Sequence, residues 1–261
     1  MFPTSWNLGR FAGIDLKIHP TFVLLPLLLL AKGGELADLL VLFLAFGCVV
    51  LHEYGHALMA RSYGIGTADI TLYPIGGVAR LDRMPRSAGP ELAIALAGPA
   101  VNLAILAVLA PGLWFVGPVL DDFSSFVLER LCWINGGLLL FNMLPIFPMD
   151  GGRVLRAILS GPLGRVRATG VAAELGRGIA VVGGVIALFS GQFMLAFAAA
   201  FLFMAGTAEL NAVRRDAARS QAGSGWPTPP PGFRWTPRGD GSYRLAPVYA
   251  WVNDPGQRQW R

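Results

Sequence analysis

Charge is scarce in this 261-residue chain. Asp, Glu, Lys and Arg supply 14% of it, where a soluble domain carries about 25%. With 54% hydrophobic residues and a mean hydropathy of +0.55, the deficit excludes an ordinary soluble domain and points to an integral membrane protein. Cysteine is scarce too. Cys48 and Cys132 both lie in apolar surroundings, which excludes a disulfide framework and leaves the redox compartment unread. No small-residue cleavage site follows the apolar run after Lys17, so that run reads as a retained first span rather than a cleavable leader. No internal repeat is evident. The net charge of +5 is explained by loop arginines, and no nucleic-acid partner is expected.

What is present is a set of long apolar segments. About six are long enough to span or nearly span a bilayer, at 18–31, 36–60, 91–116, 126–148, 171–189 and 192–213. Pro26 is expected to bend the short first one. Arginine-rich and arginine-poor connections alternate between them. Arg61, Arg80, Arg83 and Arg86 fall in one loop, Asp121, Asp122 and Glu129 in a later one, and Arg153, Arg156, Arg165 and Arg167 after that. The positive-inside rule then places both termini in the cytoplasm of a multi-pass cell-membrane protein. The expected fold is an all-α polytopic bundle. A short β-hairpin or re-entrant segment ("DITLYPI") follows the second span, and the fourth helix is broken by Pro145 and Pro148. Residues 1–213 form the membrane domain. Residues 214–261, rich in Pro, Gly, Arg and aromatics, form a tail. It reads either as disordered chain with aromatics at the interface, or as a capping hairpin turned at Asp240-Gly241.

Inside the second span stands His52-Glu53-Tyr54-Gly55-His56. Ionisable groups at membrane depth are costly and are usually functional. Histidines four apart share one face of a helix and can bind one metal, and Glu53 can reach a water on it. Two helical histidines bonded to backbone would show the same spacing, but two of them with a glutamate inside a span call for a strong partner. A catalytic zinc takes three protein ligands. The third is expected from "FNMLPIFPMDGGRV", where the prolines and glycines deliver Asp150 on irregular backbone; a helix-capping aspartate ahead of Arg153 is the plainer reading. Both stretches come out at the cytoplasmic end of an inward-running span. His19 is expected to start a helix at the interface, Glu209 to snorkel, and Cys48 to fill space or face the site.

These stretches resemble the site-2 protease family of intramembrane zinc metalloproteases. "HEYGH" matches its first motif, "NMLPIFPMDGG" its second, and "GIDLKIHPTF", "YPIGGVARL" and "ELAIALAGPAVNLAI" match its habits elsewhere, over roughly residues 8–210. The resemblance implies one zinc on His52, His56 and Asp150, with Glu53 as general base. It implies that Asn142 holds the substrate carbonyl or oxyanion, with Asn102 a second candidate beside a packing role. It further implies a membrane-anchored substrate with a single transmembrane helix, cut within or near the lipid bilayer in regulated intramembrane proteolysis. Many relatives carry PDZ or CBS domains. The chain is expected to lack both, so a regulatory partner or the tail would tune substrate choice instead.

Overall fold

The computed structural model describes residues 5–74, 76–85, 87–223, 230, 233–237 and 243–247. Arg86 and the Asp240-Gly241 turn lie outside the described residues, as does most of the aromatic tail. The chain divides into two compact units, Met1–Val213 and Arg214–Arg261.

The first unit opens with strands β1 (Trp6–Phe11) and β2 (Ile14–Ile18). A 3-10 turn (Pro20–Val23) follows, whose start is capped by the His19 ring accepting from the Thr21 N–H. It leads into α1 (Leu24–Ala31), with Pro26 in the first turn of that helix. Helix α2 (Leu36–Ser62) begins in a capping box between Glu35 and Asp38. Strands β3 (Thr67–Tyr73) and β4 (Gly76–Leu81) come next, then α3 (Ala88–Phe115) and α4 (Asp122–Asn142). The chain then breaks before α5 (Asp150–Leu163), α6 (Arg165–Phe189) and α7 (Phe193–Gly223).

Four of these helices are long and apolar enough to cross a membrane: α2, α3, α6 and α7. Their outer faces expose large apolar side chains such as Trp114, Val182, Phe189 and Phe197. So much apolar surface in one molecule needs a lipid solvent, and the protein is a multi-pass membrane protein. The sequence suggested six spans. The apolar helical stretch Pro20–Ala31 is one of the two that fall short. At about 1.5 Å per residue it reaches roughly 18 Å of the ~30 Å hydrocarbon core. Helix α4 is long enough but carries Asp122, Glu129 and Arg130.

The fold is also not purely helical. A four-stranded sheet runs in the order β1-β2-β3-β4, with β2 and β3 parallel and the outer pairs antiparallel. The expected hairpin after the second span is β3-β4. The N-terminal stretch, read from sequence as a lead into the membrane, supplies the other two strands. Ile14, Leu16 and Ile70 face Ala57 of α2, with Val50, Tyr54 and Ala79 packed around them. The sheet is therefore fastened to the helix that carries the histidines.

A charged ladder ties three of the strands. Buried Asp69 on β3 accepts from Lys17 Nζ of β2 at 2.7 Å and from Arg80 Nε of β4 at 2.7 Å. Hydrogen bonds from Arg80 outweigh burial and, with those from Lys17, hold the Asp69 carboxyl at about 2. Because this value is depressed, the stabilisation is present above the unfolded value and is lost as pH falls from about 4 to 2. Arg80 is exposed, so screening limits the gain to about 1–2 kcal/mol. Asp69→Asn should lower the thermal midpoint in detergent at pH 6, and the difference from wild type should shrink steeply as the pH falls to 2. A difference unchanged across that range would show that the ladder carries no charge-dependent stability.

In the second unit, β5 (Phe233–Pro237) and β6 (Tyr243–Pro247) pair antiparallel, with Trp235 opposite Leu245.

Candidate metal centre

His52 and His56 are both buried on one face of α2, and Asp150 is buried as the first residue of α5. The break before α5 carries Asp150 inward. Phe147 anchors it, packed with Ala172 and Ala173 of α6 and Leu210 of α7. The Phe147–Pro148 peptide is cis. Further along α5, Arg156 is 1% exposed and fixes the helix. It donates to Glu91 of α3 (Nε to Oε1, 2.7 Å) and to Glu209 of α7, and lies over the Phe147 ring. Arg165 also reaches Glu91, at 2.9 Å. Sequence reasoning read Glu209 as a snorkelling residue and these arginines as topology markers. A buried guanidinium needs carboxylate partners, and the structure supplies them from two other helices.

Three donor atoms converge. His56 Nε2 lies 3.1 Å from His52 Nε2 and 3.1 Å from Asp150 Oδ2, and His52 Nε2 lies 3.2 Å from the same oxygen. Their hydrogen bonding fixes what these atoms offer. His56 Nδ1 faces the Ile94 carbonyl at 2.6 Å. A carbonyl only accepts, so Nδ1 carries the proton and, in neutral imidazole, Nε2 presents its lone pair. For His52 the same result follows through two amides. Asn135 Nδ2 donates to the Leu131 carbonyl at 2.9 Å, so its Oδ1 accepts from Asn102 Nδ2 at 2.9 Å. That leaves Asn102 Oδ1 to accept from His52 Nδ1 at 2.5 Å. Two lone pairs and a carboxylate oxygen thus point at one spot.

One proton could satisfy only one of these three contacts, whereas a divalent cation satisfies all of them. A tetrahedral zinc with bonds of about 2.0–2.1 Å sets neighbouring donors about 3.3 Å apart. The observed separations fit it, as does the nitrogen and carboxylate donor set. The backbone of α3 forms the floor. A Cβ on Gly98 would stand 2.7 Å from His52 Nε2 and closer still to His56 Nε2.

Glu53 touches the sheet. Its Oε2 accepts from the Ala79 N–H of β4 at 3.3 Å, and Gly77 lies so close that a Cβ there would be 2.8 Å from Glu53 Cγ. Asn142, the last residue of α4, is half-buried and makes no side-chain hydrogen bond among the described residues. The structure thus brings His52, His56 and Asp150 together, sets Glu53 beside them against β4, and leaves Asn142 unengaged. Asn102, the second candidate in the sequence, is bound directly to a histidine. Asn135 went unnoticed in the sequence. Its signal was a single amide within an otherwise apolar stretch. Its other neighbour, at 3.3 Å, is Cys48 Sγ, one turn before His52.

A model of peptidase family M50 matches residues 40–127 and 117–183. A zinc metalloprotease of Methanocaldococcus jannaschii is 34% identical over 213 residues, covering 80% of this chain and 61% of that relative. A provisionally named zinc metalloprotease of Synechocystis is 36% identical over 169 residues, 59% of this chain and 44% of its own length. The chain thus spans about half the length of these curated relatives. Among solved structures, a site-2 protease from Methanocaldococcus jannaschii superposes with a TM-score of 0.56 at 32% identity. It covers 79% of this chain and 95% of its own.

Proposed function

This chain belongs to peptidase family M50, and from that premise we propose that it is an intramembrane zinc metalloprotease. It cuts membrane-anchored substrates within or near a transmembrane segment. The observation that carries this reading is the convergence of His52 Nε2, His56 Nε2 and Asp150 Oδ2 at 3.1–3.2 Å, with both histidine Nδ1 protons already placed. These three residues hold zinc, which when bound supplies a water whose pKa falls to about 7.

Glu53 accepts the proton of the attacking water and passes it to the leaving amine nitrogen. Asn142 donates to the developing oxyanion from the last turn of α4, a role that rests on family resemblance. The substrate must be unwound first, because a helical backbone has its groups already bonded. Strand β4 is an edge of its sheet and touches Glu53. A substrate segment adding to that edge lies across the site by β-augmentation. The arginine-rich connections support a site toward the cytoplasm with both termini on that side, and a cytoplasmic released fragment. A regulatory partner governs access.

The test is a comparison of membrane-protein fragments from cells with and without the protein, and from their isolated membranes after chelation and zinc restoration. Fragments ending inside a transmembrane segment should require the protein, disappear with chelator and return with zinc. Fragments that persist in its absence would remove the proteolytic reading.

A further inference from the structure

Near the metal centre sits a guanidinium whose only carboxylate neighbour is held loosely. Arg153 is one helical turn beyond Asp150 on α5, and its side chain is 15% exposed. Its Nη1 is 3.9 Å from Asp150 Oδ1, too far for a hydrogen bond. Its Nη2 reaches the Met84 sulfur at 3.5 Å, a weak acceptor, and its buried Nε has no hydrogen-bond partner among the described residues. Its neighbours differ. Arg156 is engaged by Glu91 and Glu209, and Arg165 by Glu91 and the Pro85 carbonyl. A guanidinium stays charged under all ordinary conditions and presents a planar fork suited to a carboxylate. Here the one carboxylate nearby stands beyond hydrogen-bonding distance, and the buried Nε is left unsatisfied at a cost.

Its position says what could fill the gap. One wall is the metal-ligand carboxylate. The other is Met84, in the segment that leads out of β4, the strand that holds Glu53 through Ala79. An extended chain lying along β4 and over the donor cluster would next pass Arg153. At about 3.3 Å per residue, the 3.9 Å from the Asp150 carboxylate to Arg153 corresponds to one or two residues of extended chain.

We propose that Arg153 is a specificity-determining residue that receives an acidic side chain of the substrate one or two residues from the scissile bond. This rests on the proteolytic reading above, and adds to it a charge preference set by one residue of this chain. The arginine supplies binding rather than chemistry, so its effect falls on KM more than on kcat.

The test uses the full chain, zinc-loaded, in detergent. The probes are fluorescent single-span peptides of leucine and alanine carrying one Glu, Gln or Lys at successive positions near one end. Binding is read by anisotropy on Glu53→Gln protein, so it does not depend on turnover. Cleavage of the same peptides by protein with Glu53 intact is mapped by mass spectrometry. With Arg153 present, Glu-bearing peptides should bind at least about 10-fold tighter than Lys-bearing ones at one or two adjacent positions. Arg153→Glu should invert the order, and Arg153→Gln should flatten it with zinc content unchanged. If no peptide is cut but the binding preference is seen and inverts, the proteolytic reading fails while the charge site stands. Equal binding of Glu and Lys peptides overturns the proposal. So does zinc loss in Arg153→Gln with the preference intact, which would make Arg153 a support for Asp150. A variant that alters only the response to anionic lipid overturns it as well, and gives the guanidinium to a headgroup phosphate.

Discussion

Glu53→Gln should keep one zinc per chain and lose at least about 10³-fold in cleavage rate, in line with the 10²–10⁴-fold range for general acid–base catalysis. The substitution is close to isosteric. Glutamine retains a carbonyl oxygen that can accept from the Ala79 N–H, so the contact between α2 and β4 survives. None of the three converging donor atoms belongs to Glu53, and zinc binding should therefore change little. What disappears is a basic oxygen next to the attacking water. Metal content by elemental analysis and single-turnover cleavage of a membrane substrate together decide the matter. Full activity in the variant would move the base to another residue. Loss of zinc would make Glu53 part of the metal-binding set.

Gly98→Ala should abolish high-affinity zinc binding, by more than about 100-fold, while leaving the chain folded in the membrane. Alanine favours a helix more than glycine does, so α3 itself is not harmed. The added methyl meets both imidazoles at the atoms aimed at the metal. The rings cannot retreat freely, because α3 also grips them from behind through the Ile94 carbonyl and Asn102. The helix that the methyl pushes away is the one that orients the histidines. Zinc affinity by competition with a chromogenic chelator, set beside the thermal midpoint of the metal-free protein, separates site damage from unfolding. Affinity within about threefold of wild type would mean that α2 and α3 can part without consequence.

The meeting of His52, His56 and Asp150 was legible in the sequence, because each stands in a local pattern of its own. His52, Glu53 and His56 announced themselves by spacing, and Asp150 by the prolines and glycines around it. What belongs to packing was missed. Ile94, Gly98 and Asn102 are four residues apart and form a single stripe on α3. They meet His52 and His56, themselves four apart on α2, as ridges of that period do when two helices pack. Two of the three α3 members are apolar or bare backbone, so the stripe was invisible as polarity. The N-terminal strands were missed for another reason. Ile14, Leu16 and Ile18 alternate with Asp15 and Lys17, a strand signal that the neighbouring apolar run obscured. Hydropathy along the sequence picked out two stretches beyond the four helices that are long and apolar enough by themselves. It registered the leucines of α1 although that helix is short, and the apolar half of α4 although its first half carries Asp122, Glu129 and Arg130.

The separation of the donors in the chain has a consequence for how the molecule is made. His56 and Asp150 are 94 residues apart. At about 5–20 residues per second, ribosomes need roughly 5–20 s to go from one to the other. Throughout that interval the growing chain holds a histidine pair and a glutamate but no third donor. The three-donor cluster is completed only when α5 has been inserted and Arg156 has met Glu91. On the proposed reading, zinc capture waits until the chain has been made past residue 150, and the shorter nascent chain is an inert polypeptide.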